Sequence, residues 1–292
     1  MLPANKNDAS VFLAGQLSGN TRRAYERDLC EFFQIGALER ITVEMVKGVT
    51  LEQVVCYRNM LLDKYKPATV ARRMSALRSF FDYCCSIGLL RTNPATSKLA
   101  RSPRVDNEST KAGLTRQEAE LLLKQPDKNT LAGKRDFALL LLLITAGLRR
   151  SEVVAVKKSD FMQIDRHYVL NVTGKGMVPA QIKIQPRTYT AVFDYCSLHD
   201  SDYVFLNRFG RRMSDVAVWR IVEKYINQAG IEKQISPHSL RHTFVTLAID
   251  GGAELHKVQV AARHASPKTT MRYYRNKQNL DNNAIDYIDI LY

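Results

Sequence analysis

The stretch Ser236-Pro-His-Ser-Leu-Arg-His-Thr-Phe244 decides how the rest of the chain is interpreted. Pro237 can open a helix, because the N–H that proline lacks would have no partner in the first turn. On that helix His238 and Arg241 lie three residues apart and share a face. Arginine binds a phosphate through its planar fork, and a neighbouring histidine can act as a donor or proton carrier. The stretch therefore predicts a helix that binds phosphate.

A second histidine and a tyrosine pair follow in Arg263-His-Ala-Ser-Pro-Lys-Thr-Thr-Met-Arg-Tyr-Tyr-Arg275. Oxyanion-binding groups beside a tyrosine hydroxyl indicate phosphoryl transfer through a covalent protein intermediate. This hypothesis requires further cationic groups from elsewhere in the chain.

One candidate, Arg149, follows the most apolar segment of the chain. This segment, Lys134-Arg-Asp-Phe-Ala-Leu-Leu-Leu-Leu-Leu-Ile144, predicts a central helix. Gly147 is expected to end this helix, and a new one is expected near Ser151. Arg149 lies at the break, with Glu152 three residues on, so we expect the carboxylate to hold the guanidinium.

A hairpin is predicted where β-branched runs, His167–Thr173 and Met177–Ile184, flank Gly-Lys-Gly. Lys175 then lies at its tip. The same tripeptide is also a common exposed turn, so both interpretations stay open. It is not a nucleotide-binding P-loop, because the required glycine spacing is absent.

The first third of the chain has helical periodicity. Helices are predicted over residues 9–35, from the Thr50 capping box to about Lys64, and from Pro67 to a stop at Gly88. Three arginines decorate the last of these helices, and they indicate either a solvated face or phosphate contacts: Arg72, Arg73 and Arg78.

These patterns predict a mainly α protein with a small β-sheet and two domains. Residues 1–97 form an all-helical domain, and the polar, aperiodic residues 98–113 form a linker. Residues 114–292 form the second domain, which opens at the Thr115–Glu118 capping box and ends in a helix over about 281–291.

The charge is strongly positive, at +14, with +6 in residues 1–113 and +8 in 114–292. Two basic halves suit a polyanion held between them, although a merely basic soluble protein has the same charge. The five cysteines lack Cys-x-x-Cys spacing, which indicates reduced thiols and no disulfide or zinc framework. With no signal core and no apolar run of 18 residues, we expect a cytoplasmic protein without a membrane partner.

Taken in order, these motifs resemble the tyrosine recombinase (phage integrase) family. The matching segments are Gly-Leu-Arg149-Arg-Ser-Glu152, Thr-Gly-Lys175-Gly, Pro-His238-Ser-Leu-Arg241-His-Thr-Phe, and finally His264 and Tyr273. Each motif alone is weak, but their conjunction is specific. The resemblance covers the whole chain and implies a C-shaped clamp. Its parts are an all-helical, SAM-like core-DNA-binding domain and an α+β catalytic domain.

The resemblance implies a role for each matching residue. Arg149 and Arg241 bind the scissile phosphate, and Glu152 orients the site. His238 and His264 donate to the same phosphate or assist proton transfer. Lys175 protonates the leaving 5′ oxygen.

Tyr273 is implied as the nucleophile, because it follows His264 by nine positions, the family's usual gap. Tyr274 is then a packing residue. No metal, ATP or other cofactor is required, since the cationic side chains neutralise the phosphate.

The implied reaction cuts and rejoins DNA through a 3′-phosphotyrosyl intermediate and a Holliday junction. The partners are double-stranded DNA with an inverted-repeat core site, copies of the chain in a homo-tetramer joined by the C-terminal helix, and accessory DNA-bending proteins. The enzyme would be nucleoid-associated. Without the extra N-terminal domain of larger integrases, the chain is most similar to Xer-like recombinases and transposon resolvases, which act in integration, excision, or cointegrate and dimer resolution.

Two alternatives stay open: a type IB topoisomerase-like enzyme that relaxes DNA, and a DNA-binding protein with a relic site. The sequence also departs from the family at two places. Ala262-Arg263-His264 stands where Leu-Gly-His is usual, so Arg263 either adds a DNA contact or crowds the site. The hairpin after Lys175 is short and lacks the usual Lys-x-Arg.

Overall fold

A computed structural model describes residues 8–16, 18–96, 98–103, 113–174, 179–264, 266–267 and 269–271. The chain divides into two compact units, Met1–Asn107 and Glu108–Tyr292. Each unit buries an apolar core of its own.

Helices alone form the regular structure described in the first unit. They are α1 (Asp8–Ala14), α2 (Gly19–Phe32), α3 (Val43–Lys47), α4 (Leu51–Lys64) and α5 (Pro67–Ser86), with a 3-10 turn at Leu38–Arg40. The predicted starts of α4 and α5 are confirmed. The Thr50 hydroxyl accepts from the Gln53 N–H at 3.3 Å, and Pro67 occupies the first turn of α5.

The prediction of a single helix over residues 9–35 is wrong, because helical structure is interrupted between α1 and α2. Ser18 is extended, with φ −99° and ψ 125°, and it precedes the first residue of α2. The break lets α1 fold back onto its neighbours. Phe12 stacks on Tyr25 at 6.0 Å between ring centroids and meets the Phe80 ring edge at 5.5 Å.

The first residues of the predicted linker pack on the first unit. Lys98–Ala100 forms a 3-10 turn in which Ala100 is buried, and the Arg58 guanidinium donates to the Leu99 carbonyl. Residues 104–112 lie outside the described part of the chain.

The second unit combines helices with a small sheet. Its helices are α6 (Arg116–Lys124), α7 (Leu131–Thr145), α8 (Arg150–Val153), α9 (Pro186–Cys196), α10 (Asp215–Gln228), α11 (Pro237–Asp250) and α12 (Leu255–Ala262), with a 3-10 turn at Lys158–Asp160. As predicted, α7 is central: Leu139, Leu140, Leu142 and Leu143 are fully buried, and α7 packs against α6, α8, α9 and α11. None of the helices in the described residues combines the length and apolar character needed to cross a bilayer.

The sheet has the antiparallel order β1-β2-β3, formed by β1 (Phe161–Ile164), β2 (His167–Thr173) and β3 (Pro179–Ile184). Tyr168 faces Ile184 across β2 and β3, which confirms the predicted pairing of these two segments. The sequence did not reveal β1, because this four-residue strand is mostly exposed and carries little alternation. The predicted tip residue, Lys175, lies outside the described residues, as do Tyr273 and the predicted helix over 281–291.

Candidate active site

The site is built around the turn between α7 and α8. Gly147 adopts a left-handed conformation, with φ +58°. A Cβ atom at this position would lie 2.6 Å from Cδ1 of Phe244 on α11. Glycine is therefore required both by its backbone angle and by the close approach of α11. The turn brings Arg149 to the N-cap position of α8.

Glu152 holds Arg149 through two contacts, as the sequence predicted. Its Oε1 accepts from Arg149 Nη1 at 2.6 Å, and its Oε2 accepts from the Arg149 backbone N–H at 2.8 Å. Burial alone would raise the pKa of Glu152, but the hydrogen bonds from Arg149 and the Arg263 charge outweigh it, so this pKa lies below its usual value. The carboxylate is thus ionised and fixed, while the Arg149 side chain remains 34% exposed.

Helix α11 brings a second arginine to the same turn. Its N-terminus is closed by Ser236, whose hydroxyl accepts from the Ser239 N–H at 3.3 Å, and Pro237 follows in the first turn. Arg241 is buried, and its Nη1 donates to the Gly147 carbonyl at 2.6 Å. His238, one turn earlier, is exposed.

His264 follows α12 and makes a side-chain hydrogen bond. Its Nδ1 lies 2.9 Å from the hydroxyl of the buried Thr270. Burial, followed by the charges of Arg241 and Arg149, lowers the pKa of His264 to about 4. The imidazole is therefore neutral at neutral pH, and it lies close enough to both arginines to respond to their charge.

Arg263 is a site residue whose place the sequence did not establish. It ends α12 in a left-handed conformation, with φ 52° and ψ 47°. Its Nη2 lies 2.9 Å from Glu152 Oε2 and 3.4 Å from the Gly147 carbonyl oxygen. The signal in the sequence was the arginine itself, at a position where the resembled family carries glycine.

The described side chains of the site place three positive charges around the single carboxylate of Glu152. The charges belong to Arg149, Arg241 and Arg263. Such an excess of positive charge suits an oxyanion. No three histidine, cysteine or acidic side chains in the described ranges lie close enough together to hold a metal ion.

Two of the expected site residues, Lys175 and Tyr273, cannot be placed in this site, because they lie outside the described residues. The strands that lead to Lys175 are in place, with Thr173 at the end of β2 paired with Pro179 at the start of β3. Thr270, three residues before Tyr273 in the sequence, contacts His264.

The three arginines singled out on α5 have partners within the first unit. Arg72 forms a two-pronged ion pair with the buried Asp28, in which Nη2 and Oδ1 lie 2.9 Å apart. Arg73 is itself buried, pairs with Glu31 and lies 4.1 Å above the Tyr65 ring. These contacts make Arg72 and Arg73 parts of an ion-pair network within the first unit, and the Arg72 side chain remains 37% exposed.

Arg78 also contacts its own unit. Its Nε donates to the Met74 carbonyl at 3.2 Å, and its Nη2 donates to the Ser102 hydroxyl. The side chain thereby joins α5 to the segment that follows the helical domain.

Family models match both units of the chain. The model described as the phage integrase family matches residues 113–279, and the model described as the phage integrase N-terminal SAM-like domain matches residues 8–86. The first match spans more than half of the chain.

Known proteins are similar over nearly the whole length. The tyrosine recombinase XerC of Thermodesulfovibrio yellowstonii is 34% identical over 269 residues, which covers 88% of this chain and 85% of that protein. XerD of Listeria monocytogenes is 32% identical and covers 88% of each chain. A lambda integrase dimer bound to a core site has the same fold, with a TM-score of 0.70 at 15% identity over 89% of this chain and 93% of that one. The chain belongs to the phage integrase family, and it is a tyrosine recombinase.

Proposed function

We propose that this recombinase cuts and rejoins DNA at specific sites through a bond between Tyr273 and a DNA 3′ phosphate. One observation carries the proposal. Arg241 donates to the carbonyl of the turn that carries Arg149, and the charges of both arginines, after burial, lower the pKa of the neutral His264. These groups are suited to a phosphodiester whose negative charge increases in the transition state.

Arg149 and Arg241 divide the work of binding this phosphate. Arg149 is steered by Glu152 yet remains 34% exposed, so its fork can reach a DNA strand. Arg241 is buried against the Gly147 carbonyl and supplies a fixed charge. Preorganised charges of this kind need not rearrange during the reaction.

His264 acts as a neutral hydrogen-bond donor in this proposal. When the Thr270 hydroxyl donates to Nδ1, the ring carries its proton on Nε2, which can then donate to a phosphate oxygen. The pKa of about 4 keeps the imidazole in this neutral state over the physiological range. His238, exposed on the first turn of α11, is the second imidazole proposed for the same phosphate.

The covalent step transfers the phosphoryl group without a change of oxidation state. A tyrosine hydroxyl has a pKa near about 10, so Tyr273 reacts only when its proton is accepted and the phosphate charge is neutralised. The phenolic oxygen attacks phosphorus as its proton passes to His238, and the 5′ oxygen leaves with a proton supplied by Lys175. A 5′-hydroxyl from a second duplex then attacks the phosphotyrosine, which restores Tyr273 and joins the exchanged strands.

The partners proposed follow from the charge of the chain and from its relatives. A net charge of +14 favours DNA, and the solved lambda integrase neighbour is a dimer bound to a core site. We propose an inverted-repeat core site, a homo-tetramer formed through the C-terminal helix, and accessory DNA-bending proteins. Integration, excision and resolution of dimers or cointegrates are all compatible with this chemistry.

A nicked suicide substrate tests the proposal. A binding site is first enriched from a randomised duplex library, and duplexes nicked near each candidate cleavage point are then incubated with the chain. We expect a covalent protein–DNA adduct that Tyr273→Phe abolishes and Tyr274→Phe preserves. An adduct that survives Tyr273→Phe contradicts the nucleophile assignment.

The same preparation separates the two rival activities. A topoisomerase-like enzyme relaxes supercoiled plasmid that lacks the enriched site, whereas the recombinase requires the site and yields recombinant duplexes. A relic binds the site but forms no adduct. Relaxation of site-free plasmid and binding without an adduct would each contradict the proposed reaction.

A further inference from the structure

We propose that Arg263 is a positioning residue, which locks the segment carrying His264 onto the turn carrying Arg149 by gripping Glu152. The inference rests on the proposed function, because it concerns the alignment of the same phosphate-binding groups. It assigns a task to the arginine that stands where the resembled family carries glycine.

The contacts of Glu152 give the first reason. Arg149 uses Oε1 through its Nη1 and Oε2 through its backbone N–H, at 2.6 and 2.8 Å. Arg263 adds a second guanidinium to Oε2 at 2.9 Å. One carboxylate is therefore shared by the residue that opens α8 and the residue that ends α12, and His264 directly follows the latter.

Contacts to the backbone strengthen this link in both directions. Nη2 of Arg263 lies 3.4 Å from the Gly147 carbonyl oxygen, which also accepts from Arg241. In return, the Arg263 carbonyl accepts from Nη2 of Arg149 at 3.4 Å. The two segments thus hold each other through side-chain and main-chain groups.

The backbone conformation gives a second reason. Arg263 has φ 52° and ψ 47°, a left-handed conformation that a residue with a Cβ atom adopts at a cost. Its N–H still closes α12 by donating to the Val260 carbonyl at 2.9 Å. An unfavourable conformation persists where surrounding contacts compensate for it, and the contacts to Glu152 and Gly147 supply that compensation.

The contacts of the Arg263 side chain within the protein distinguish positioning from a direct contact with DNA. The side chain of Arg263 is 13% exposed, compared with 34% for Arg149, and its Nε and Nη1 are buried. Its Nη2 contacts acceptors of the protein itself, Oε2 of Glu152 and the Gly147 carbonyl oxygen. Arg149 is therefore the member of the pair that can reach a phosphate, and Arg263 acts through Glu152 and His264.

Two substitutions test this role, because each removes a different part of the contact. Arg263→Gly removes the side chain and relieves the left-handed strain, so the variant is expected to fold. Arg263→Lys keeps the charge but replaces the planar guanidinium, whose Nη2 contacts both Glu152 and Gly147, with an ammonium group on a flexible stem. Arg166→Gly serves as the control for charge loss, since this exposed arginine lies at the β1–β2 turn, at the opposite end of β2 from Thr173.

We expect Arg263→Gly to slow single-turnover cleavage of the nicked substrate by about tenfold to a hundredfold, as misplaced catalytic groups do. Site affinity and its salt dependence should match those of Arg166→Gly. Arg263→Lys should recover part of the rate. A parent-like rate for Arg263→Gly overturns the inference. A loss of affinity with a shallower salt slope does so too, because it identifies a phosphate contact.

A readout that does not depend on cleavage keeps this test separate from the proposed function. Titration of the His264 imidazole by NMR, in protein without DNA, should show its pKa raised in Arg263→Gly, because the Arg263 charge lowers this pKa in addition to burial and the charges of Arg241, Arg149 and His238. An unchanged His264 titration overturns the inference. Absence of an adduct in the parent chain contradicts the proposed function and leaves the NMR result to decide on Arg263.

Discussion

Gly147 serves the site through its conformation and through its carbonyl. Gly147→Ala places a Cβ atom in a left-handed conformation, 2.6 Å from Cδ1 of Phe244. We expect an unfolding free energy lower by roughly 2–3 kcal/mol, measured by denaturant unfolding, since both backbone strain and overlap oppose the change. Cleavage should fall as well, because the carbonyl that accepts from Arg241 is displaced.

Gly230→Ala is the matched control for this prediction. Gly230 has φ +66°, but a Cβ atom there would meet no atom within 4 Å. We therefore expect Gly230→Ala to lower the unfolding free energy by about 1 kcal/mol, through backbone strain alone, and to leave cleavage unchanged. Equal costs at the two glycines would contradict the close approach of α11 to the turn.

The titration of His264 makes the stability of the folded chain depend on pH. Burial and the arginine charges lower its pKa to about 4 in the folded chain, from an ordinary value of 6.5. The unfolded state therefore binds more protons between these values, and the folded state loses stability as the pH falls from about 6.5 to about 4. This loss is on the order of 3 kcal/mol.

We expect His264→Asn to abolish that part of the pH dependence. The stability of the variant relative to the parent chain should rise as the pH falls through this window, as measured by denaturant unfolding at several pH values. His167→Asn, which replaces an exposed histidine at the start of β2, is the control. Parallel curves for parent and His264→Asn would show that His264 titrates alike in the folded and unfolded chains.

A buried carboxylate joins helices α2 and α5. Asp28 on α2 is fully buried and pairs with Arg72, while Nε of the buried Arg73 lies 3.9 Å from its Oδ1. Asp28→Asn removes the charge but keeps the shape, so the two guanidiniums lose their shared anion. We expect the unfolding free energy to fall by about 3 kcal/mol.

Asp63→Asn on α4 is the control for Asp28→Asn, because Asp63 is exposed. Its effect should lie within about 0.5 kcal/mol of zero, as for most surface substitutions. If Asp28→Asn were equally harmless, the ion-pair network would not join α2 to α5.

Local sequence rules predicted the elements well where they concern short-range chemistry. The capping boxes at Thr50 and Thr115, the proline that opens α11 and the pairing of β2 with β3 are all present. The break between α1 and α2 and the strand β1 escaped prediction. Both depend on tertiary packing, since α1 turns back to bury Phe12 and β1 gains its partner only from the sheet.

The same limit applies to the candidate site. The Arg149–Glu152 pair could be predicted because it lies within one helical turn. The contact between Arg263 and Glu152 spans 111 positions and depends on how α12 ends, so no local pattern indicates it. The internal partners of Arg72 and Arg73 were missed for the same reason, since Asp28 and Glu31 come from another helix.

For the whole molecule, both halves of the sequence are basic, at +6 and +8. Phosphate contacts release counterions, so the logarithm of the affinity should fall linearly with the logarithm of the salt concentration. With six or more contacts we expect a loss of at least about 10³-fold between about 50 and 200 mM salt, measured by fluorescence anisotropy. A flat response would contradict binding of DNA through its backbone.

Peptide mapping of the suicide adduct identifies the side chain that is bonded to DNA. Trypsin cleaves after Arg272 and Arg275, so it releases the tripeptide Tyr273-Tyr274-Arg275. After nuclease digestion, fragment ions assign the remaining nucleotide to one of the two tyrosines. We predict a nucleotide linked through its 3′ phosphate to Tyr273, with Tyr274 unmodified. A nucleotide on Tyr274, or an adduct whose tripeptide carries no nucleotide, would contradict the assignment of Tyr273 as the nucleophile.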